Sequence, residues 1–186
     1  MKFNFNPEEI DIEALKHFSR KDFIDGGVIC PTCFDKFTNH MLYGDDSNRK
    51  TFEDEDIECS FVPDPRAKGH MIISTQDHYR DMSETPDYLN EKIIRFAREY
   101  IKILKSVYNC ESVYYCTMSD GPINHYHVQL IPRYKEESRG SKNFVKPRKD
   151  YVFEPEKFKK VCEMIHDYAN GKSHFQNNET EPPQMS

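Results

Sequence analysis

The chain has 186 residues, 37% hydrophobic and 31% charged, with a formal net charge of −6. That length carries one domain with a real core, and 13 Phe and 11 Tyr argue against disorder because each ring can bury a large apolar area. The negative balance excludes a general nucleic-acid binder, since nothing draws the molecule as a whole to a polyanion.

Residues 1–28 predict a helical extension, with a short helix over 7–20 that takes Pro7 in its first turn. The N-terminus has no apolar run of signal-peptide length, and no stretch of roughly 18 apolar residues occurs anywhere, so no membrane contact is expected and a cytoplasmic location is. Gly26-Gly27 breaks the chain before Cys30-Pro31-Thr32-Cys33. Segments 40–44, 50–54 and 56–62 read as short strands, and Gly69 opens another at 70–74. Thr85-Pro86-Asp87 starts a helix whose Leu89, Ile93, Phe96, Tyr100, Leu104 and Val107 fall on one apolar face. Residues 112–118 and 125–131 predict strands, the second ended by Pro132, and 143–146 a further one. A last helix spans 155–169, and 171–186 read as a disordered tail. The sum is an α+β domain over 29–170.

Two segments carry chemistry. In a strand at 125–131, alternation puts His125, His127 and Gln129 on one face and Tyr126, Val128 and Leu130 on the other. A polar face of two imidazoles and an amide, backed by a regular apolar face, is the pattern of a site; an exposed strand that carries histidines is the bland alternative. The Cys30/Cys33 pair can supply half of a tetrahedral zinc shell, with His78 and His125 as further candidates that spacing alone does not select. A thioredoxin-like redox pair needs a strand before the first Cys and a helix opening on it; residues 34–40 offer only a weak helix, which favours zinc. The other four of the six cysteines fall on predicted strands and helix faces and read as core.

In order along the chain, CPTC, then Arg66-Ala67-Lys68-Gly69-His70-Met71-Ile72-Ile73 running to His78, then HYHVQLIPR resemble the histidine triad (HIT) superfamily, in its branch with Gln at the third triad position. The resemblance runs from about Cys30 to Arg133 and implies an antiparallel sheet of about five strands with one long helix and shorter terminal ones. It implies that His127 is a nucleophile toward the α-phosphorus of a nucleotide, that Gln129 holds phosphoryl oxygens, and that His70 is an additional active-site histidine. Cys30, Cys33, His78 and His125 look like the structural zinc site of galactose-1-phosphate uridylyltransferase and its zinc-bearing relatives. Family members commonly form homodimers.

The implied activity is hydrolysis or transfer of a nucleotidyl group, on a dinucleoside polyphosphate or a nucleoside phosphoramidate, through a nucleotidyl-histidine. The pattern differs from the family's in two places. Almost no room remains before His125 for a phosphate-touching segment, leaving Asn124 as the substitute, and the acid that would meet the ribose is displaced to Asp64. In the basic stretch 133–149, Arg133 and Lys146 are the residues expected to clamp a polyphosphate, and the rest are expected to be solvated. Two alternatives stand beside the enzyme: a nucleotide-binding protein that has lost turnover, and a redox protein using Cys30 and Cys33.

Overall fold

The structure, a computed structural model, describes residues 1–119, 121–172 and 174–175; the tail expected over 171–186 lies mostly outside the described residues. Five strands, β1 (Lys50–Glu53), β2 (Ile57–Phe61), β3 (Met71–Thr75), β4 (Ser112–Cys116) and β5 (His127–Arg133), form one sheet in the order β1-β2-β3-β5-β4. Every neighbouring pair is antiparallel. The α+β architecture with a five-stranded antiparallel sheet is as the sequence predicts.

One face of the sheet carries the core. Cys59, Met71, Ile73, Tyr126, Val128 and Leu130 are all fully buried and meet the apolar stripe Leu89, Ile93, Tyr100, Ile103 and Leu104 of the long helix. That helix spans Asp87–Tyr108. It closes with Asn109 in the left-handed region, a conformation that Asn tolerates better than most residues. The helix Pro155–Ala169 has the bounds that its periodicity predicts and adds Val161 and Ile165 to the same core. The opposite face, with Ile72, Ser74, His127 and Gln129, is left for function.

Several local expectations are corrected. The single helix over 7–20 is a 3-10 turn (Pro7–Glu9), then α1 (Ile12–Leu15) and α2 (Arg20–Gly26). Asn6, Asp11 and Ser19 each turn a side-chain oxygen onto a following backbone N–H; Asn6 caps the start, and the caps at Asp11 and Ser19 interrupt what the sequence reads as one helix. A seven-residue helix, α3 (Pro31–Phe37), opens at Cys30, stronger than its composition suggests. In chain order the long helix is α4 and the last is α5.

Residues 40–44 are a turn rather than a strand, because the Asp35 carboxylate collects the amides of Leu42 and Tyr43 at 2.9 and 2.8 Å. The stretch 143–146 holds only the end of a 3-10 turn, Ser141–Asn143, where the Asn143 amide donates to the Ser138 and Gly140 carbonyls. Pro132 does not end β5. Pairing with β3 stops at Leu130, so the missing N–H of Pro132 falls where no strand waits on that side.

The first 28 residues are not a detached extension. Phe3 and Phe5 stack with centroids 5.2 Å apart and both meet Phe37 of α3 edge-on. The Asn4 Oδ1 accepts from the Cys30 amide at 2.9 Å, and the Lys2 carbonyl accepts from the His78 amide at 2.7 Å.

Candidate metal centre and active site

The segment just before β5, the loop after β3 and the start of α3 meet at one point. Cys30, Cys33, His78 and His125 bring their ligand atoms within 4.8 Å of one another. Cys33 Sγ lies 3.3 Å from His78 Nδ1 and 3.4 Å from His125 Nδ1, and Cys30 Sγ lies 3.7 Å from His125 Nδ1. In a tetrahedral site with the usual zinc–sulfur and zinc–nitrogen lengths, the S···N edge is roughly 3.5 Å. The donor set fits that edge.

The second hydrogen bond of His125 makes the fit chemical as well as geometric. Its Nε2 donates to the Thr75 carbonyl at 2.8 Å, and a carbonyl can only accept. The tautomer is therefore fixed with Nδ1 bare, and that lone pair faces both sulfurs. The thiols tell the same story. The Cys33 thiol beside Cys30, helped by His125 and against the cost of burial, pulls the Cys30 thiol far below its ordinary range, whereas Cys33 is pushed up by Cys30 and by burial. Two adjacent buried sulfurs cannot both be anions unless a cation sits between them. The pair of imidazoles is what a redox dithiol has no need of, and residues 28–29 form no strand.

His127 begins β5 opposite Ser74, and Gln129 follows on the same face opposite Ile72. The His127 Nδ1 donates to the His125 carbonyl at 2.8 Å, so Nε2 is the unprotonated nitrogen, held toward a cavity of about 180 Å³. Burial holds this imidazole below the usual histidine range, with the carbonyl working the other way. The strand expected from 125 begins only at His127, and His125, two residues before it, forms one device with His127. His125 turns its ring to the cysteines and its carbonyl to His127.

The cavity is lined by Tyr43, Phe61, Val62 and Ile72, by Asp64, and by His127 and Gln129. Arg20, Lys36, Arg49 and Arg148 bring cations to it. His70, fully buried, stands one alternate position before Ile72, with Nδ1 accepting from the Arg66 amide at 3.1 Å. It does not line this cavity but borders a second hollow, and Gln129 is among the groups that act on its imidazole. Gly69 holds the approach, since its φ is +73° and a Cβ there would meet the Tyr108 ring at 3.2 Å.

Three residues expected at the substrate are spent elsewhere. The Asn124 amide donates to the Arg80 carbonyl and, at 3.0 Å, to Ser119 Oγ. Arg133 is buried, ion-paired with Glu111 at 2.6 Å and donating to the Tyr134 and Glu137 carbonyls. Lys146 pairs with Glu137 at 2.6 Å and borders a different hollow. Arg148, read as solvated from sequence, is the loop's cation at the cavity. Lys149 and Tyr151 donate their amides to the Pro65 and Pro63 carbonyls at 3.0 and 3.2 Å, and this laces the segment beside Asp64. No periodicity signals that pairing, so only the alternation of Arg148 with the bonded Lys149 and Tyr151 hints at it.

Burial first, then the Arg148 charge, push the His70 imidazole down to about 4. Its folded value thus lies below the unfolded one near 6.5, so the unfolded chain takes up a proton that the fold refuses as pH falls between the two. Stability is lost in that window, by about 2 kcal/mol between pH 7 and pH 5 from this group alone. Urea denaturation of the protein and of His70→Gln at both pH values checks this: the variant should lose less stability on acidification, and equal losses would refute the assignment.

No protein-family model matches the chain. It is 26% identical to an uncharacterised HIT-like protein of Methanocaldococcus jannaschii over 99 residues, 51% of this chain and 76% of that one. With an uncharacterised HIT-like protein of Borreliella burgdorferi the identity is 25% over 122 residues, 62% and 85% of the two chains. A zinc-bound histidine triad family protein from Mycobacterium smegmatis superposes with a TM-score of 0.52 at 14% identity, covering 66% of this chain and 87% of that one. For a hypothetical histidine triad nucleotide-binding protein from Sulfolobus tokodaii the values are 0.50, 19%, 74% and 91%. The chain has the fold of these proteins. None of its described helices is long and apolar enough to cross a membrane.

Proposed function

We propose that this chain is a histidine triad protein of the Gln-bearing branch that hydrolyses or transfers a nucleotidyl group through a covalent intermediate on His127. The observation that carries the reading is the single bare nitrogen of His127, fixed by the Nδ1–carbonyl bond and facing a cavity beside Gln129. A neutral imidazole so held can attack phosphorus without first losing a proton. The bond from phosphorus to the leaving group breaks as the P–N bond forms, and water or an acceptor then takes the nucleotidyl group and frees the ring.

Gln129 donates its amide N–H to the phosphoryl oxygens, where negative charge grows in the transition state. His70 orients Gln129, for which its buried Nε2, without a hydrogen-bond partner among the described residues, is available. The apolar wall of Tyr43, Phe61, Val62 and Ile72 suits a nucleoside, and Asp64 a ribose hydroxyl. Cys30, Cys33, His78 and His125 would hold zinc with no open coordination position, so the ion's part is to tie chain segments together. The domain is 29–170 with residues 1–28 docked on that metal site, and the protein is a cytoplasmic homodimer joined along β4, the half-buried strand at one edge of the sheet.

The test is intact-mass spectrometry after brief mixing with dinucleoside polyphosphates and nucleoside phosphoramidates. The expected result is an adduct of one nucleotidyl mass, or released mononucleotide, that is absent from His127→Ala. Tight nucleotide binding with neither adduct nor product, from zinc-loaded folded protein, would leave a binding protein in place of an enzyme.

A further inference from the structure

The chain is acidic overall, yet cations without acid partners gather at this cavity. Its four carboxylates are already engaged. Asp35 accepts from the amides of Leu42 and Tyr43 and pairs with His40, and Asp46 lies 3.6 Å from Lys50. Glu58 lies 3.5 Å from Lys36, and Asp64 is 2.8 Å from Arg148. Arg20 and Arg49 line the same cavity and have no carboxylate partner among the described residues. Arg148 meets Asp64 through Nη1 alone, and its Nη2 and Nε have no partner among the described residues. Arg20 comes from α2 and Arg148 from the segment laced to Pro63 and Pro65, so neither belongs to the sheet that carries His127. Both guanidiniums line the same cavity as His127 and Gln129, which brings them to the reacting centre.

The amide at position 129 adds a second, independent constraint. An amine leaving group must gain a proton as it departs, and Gln129 has none to move at neutral pH. A departing phosphate needs no proton. What it needs is positive charge at the oxygen that takes the electron pair.

We propose, on the basis of the nucleotidyl-transfer reading above, that Arg20 and Arg148 form a subsite for an anionic leaving group, so that the substrate is a nucleotide joined by a phosphoanhydride to at least one further phosphate. His127 Nε2 forms the bond to the α-phosphorus, the anhydride Pα–O bond breaks, and its electron pair leaves on the bridging oxygen, which departs with the remaining phosphate toward the two guanidiniums. Arg49 lines the same cavity and offers a third guanidinium to a longer phosphate chain.

The experiment compares kcat/KM of the protein, Arg20→Ala, Arg148→Ala and the double variant on two substrates sharing one nucleotidyl group, a dinucleoside tetraphosphate and a nucleoside phosphoramidate with a neutral amine. Loss of charge-assisted bonds to a departing anion should cut the tetraphosphate value by about 100-fold in the double variant, and at least ~10-fold more than the phosphoramidate value. Rescue of part of that loss by Arg148→Lys would support a charge role. Equal losses on both substrates, or a preference of the native protein for the phosphoramidate, would overturn the subsite while leaving His127 chemistry intact. No adduct from either substrate sinks both readings together.

Discussion

His127→Ala is expected to lower turnover by about 10⁴-fold or more while leaving the fold and nucleotide binding in place. The side chain reaches the cavity from the first residue of β5, and among the described residues its hydrogen bond is to the His125 carbonyl at 2.8 Å. Removing it costs roughly 1 kcal/mol of stability through that bond. By contrast, a loss of 10⁴ in rate is about 5.5 kcal/mol of barrier, the difference between a covalent route and direct attack by water. Turnover under saturating substrate, with thermal melting as the control, separates the two. A variant retaining a tenth of native turnover would mean that another group is the nucleophile.

Cys33→Ser is expected to abolish stoichiometric zinc and to destabilise the protein by several kcal/mol, on the order of 3 or more. Cys33 is the ligand that touches both histidines, at 3.3 and 3.4 Å, so its loss opens the shell at the centre. The site joins residues 45 positions apart in Cys33 and His78, and 92 apart in Cys33 and His125. Without it, α3 and the aromatic N-terminal segment packed on Phe37 keep only lighter ties to the sheet side, such as Lys36 to Glu58 and to the Thr75 carbonyl, and the His78 amide to the Lys2 carbonyl. Because the backbone of His125 also positions His127, activity should fall with zinc occupancy. Elemental analysis, melting temperature and turnover of the native protein before and after a chelator test the coupling. A native protein that purifies without metal and melts unchanged with chelator would remove the zinc assignment and leave a metal-free cluster to be explained.

Hydrophobic alternation was enough to place His127 and Gln129 on one face of a strand, because period 2 is a property of local chain geometry. The amphipathic stripe from Leu89 to Val107 was legible for the same kind of reason, at period 3.6. The bounds of α5 could be read off its apolar face alone. Local competition was harder to see: Asp11 and Ser19 divided an apparent helix by capping it, and Asp35 folded 40–44 into a turn.

The placement of Arg133, Lys146 and Arg148 was beyond any local pattern. All three are long cations in one basic stretch, and their roles depend on which acid or carbonyl the returning chain brings near. Glu111 and Glu137 claim the first two, and the amide bonds to Pro63 and Pro65 carry the third to the cavity. Arg20 joins it from another part of the chain. Periodicity assigns a residue to a face of its own element, whereas charge pairing across 84 positions, as between Asp64 and Arg148, exists only once the elements have packed.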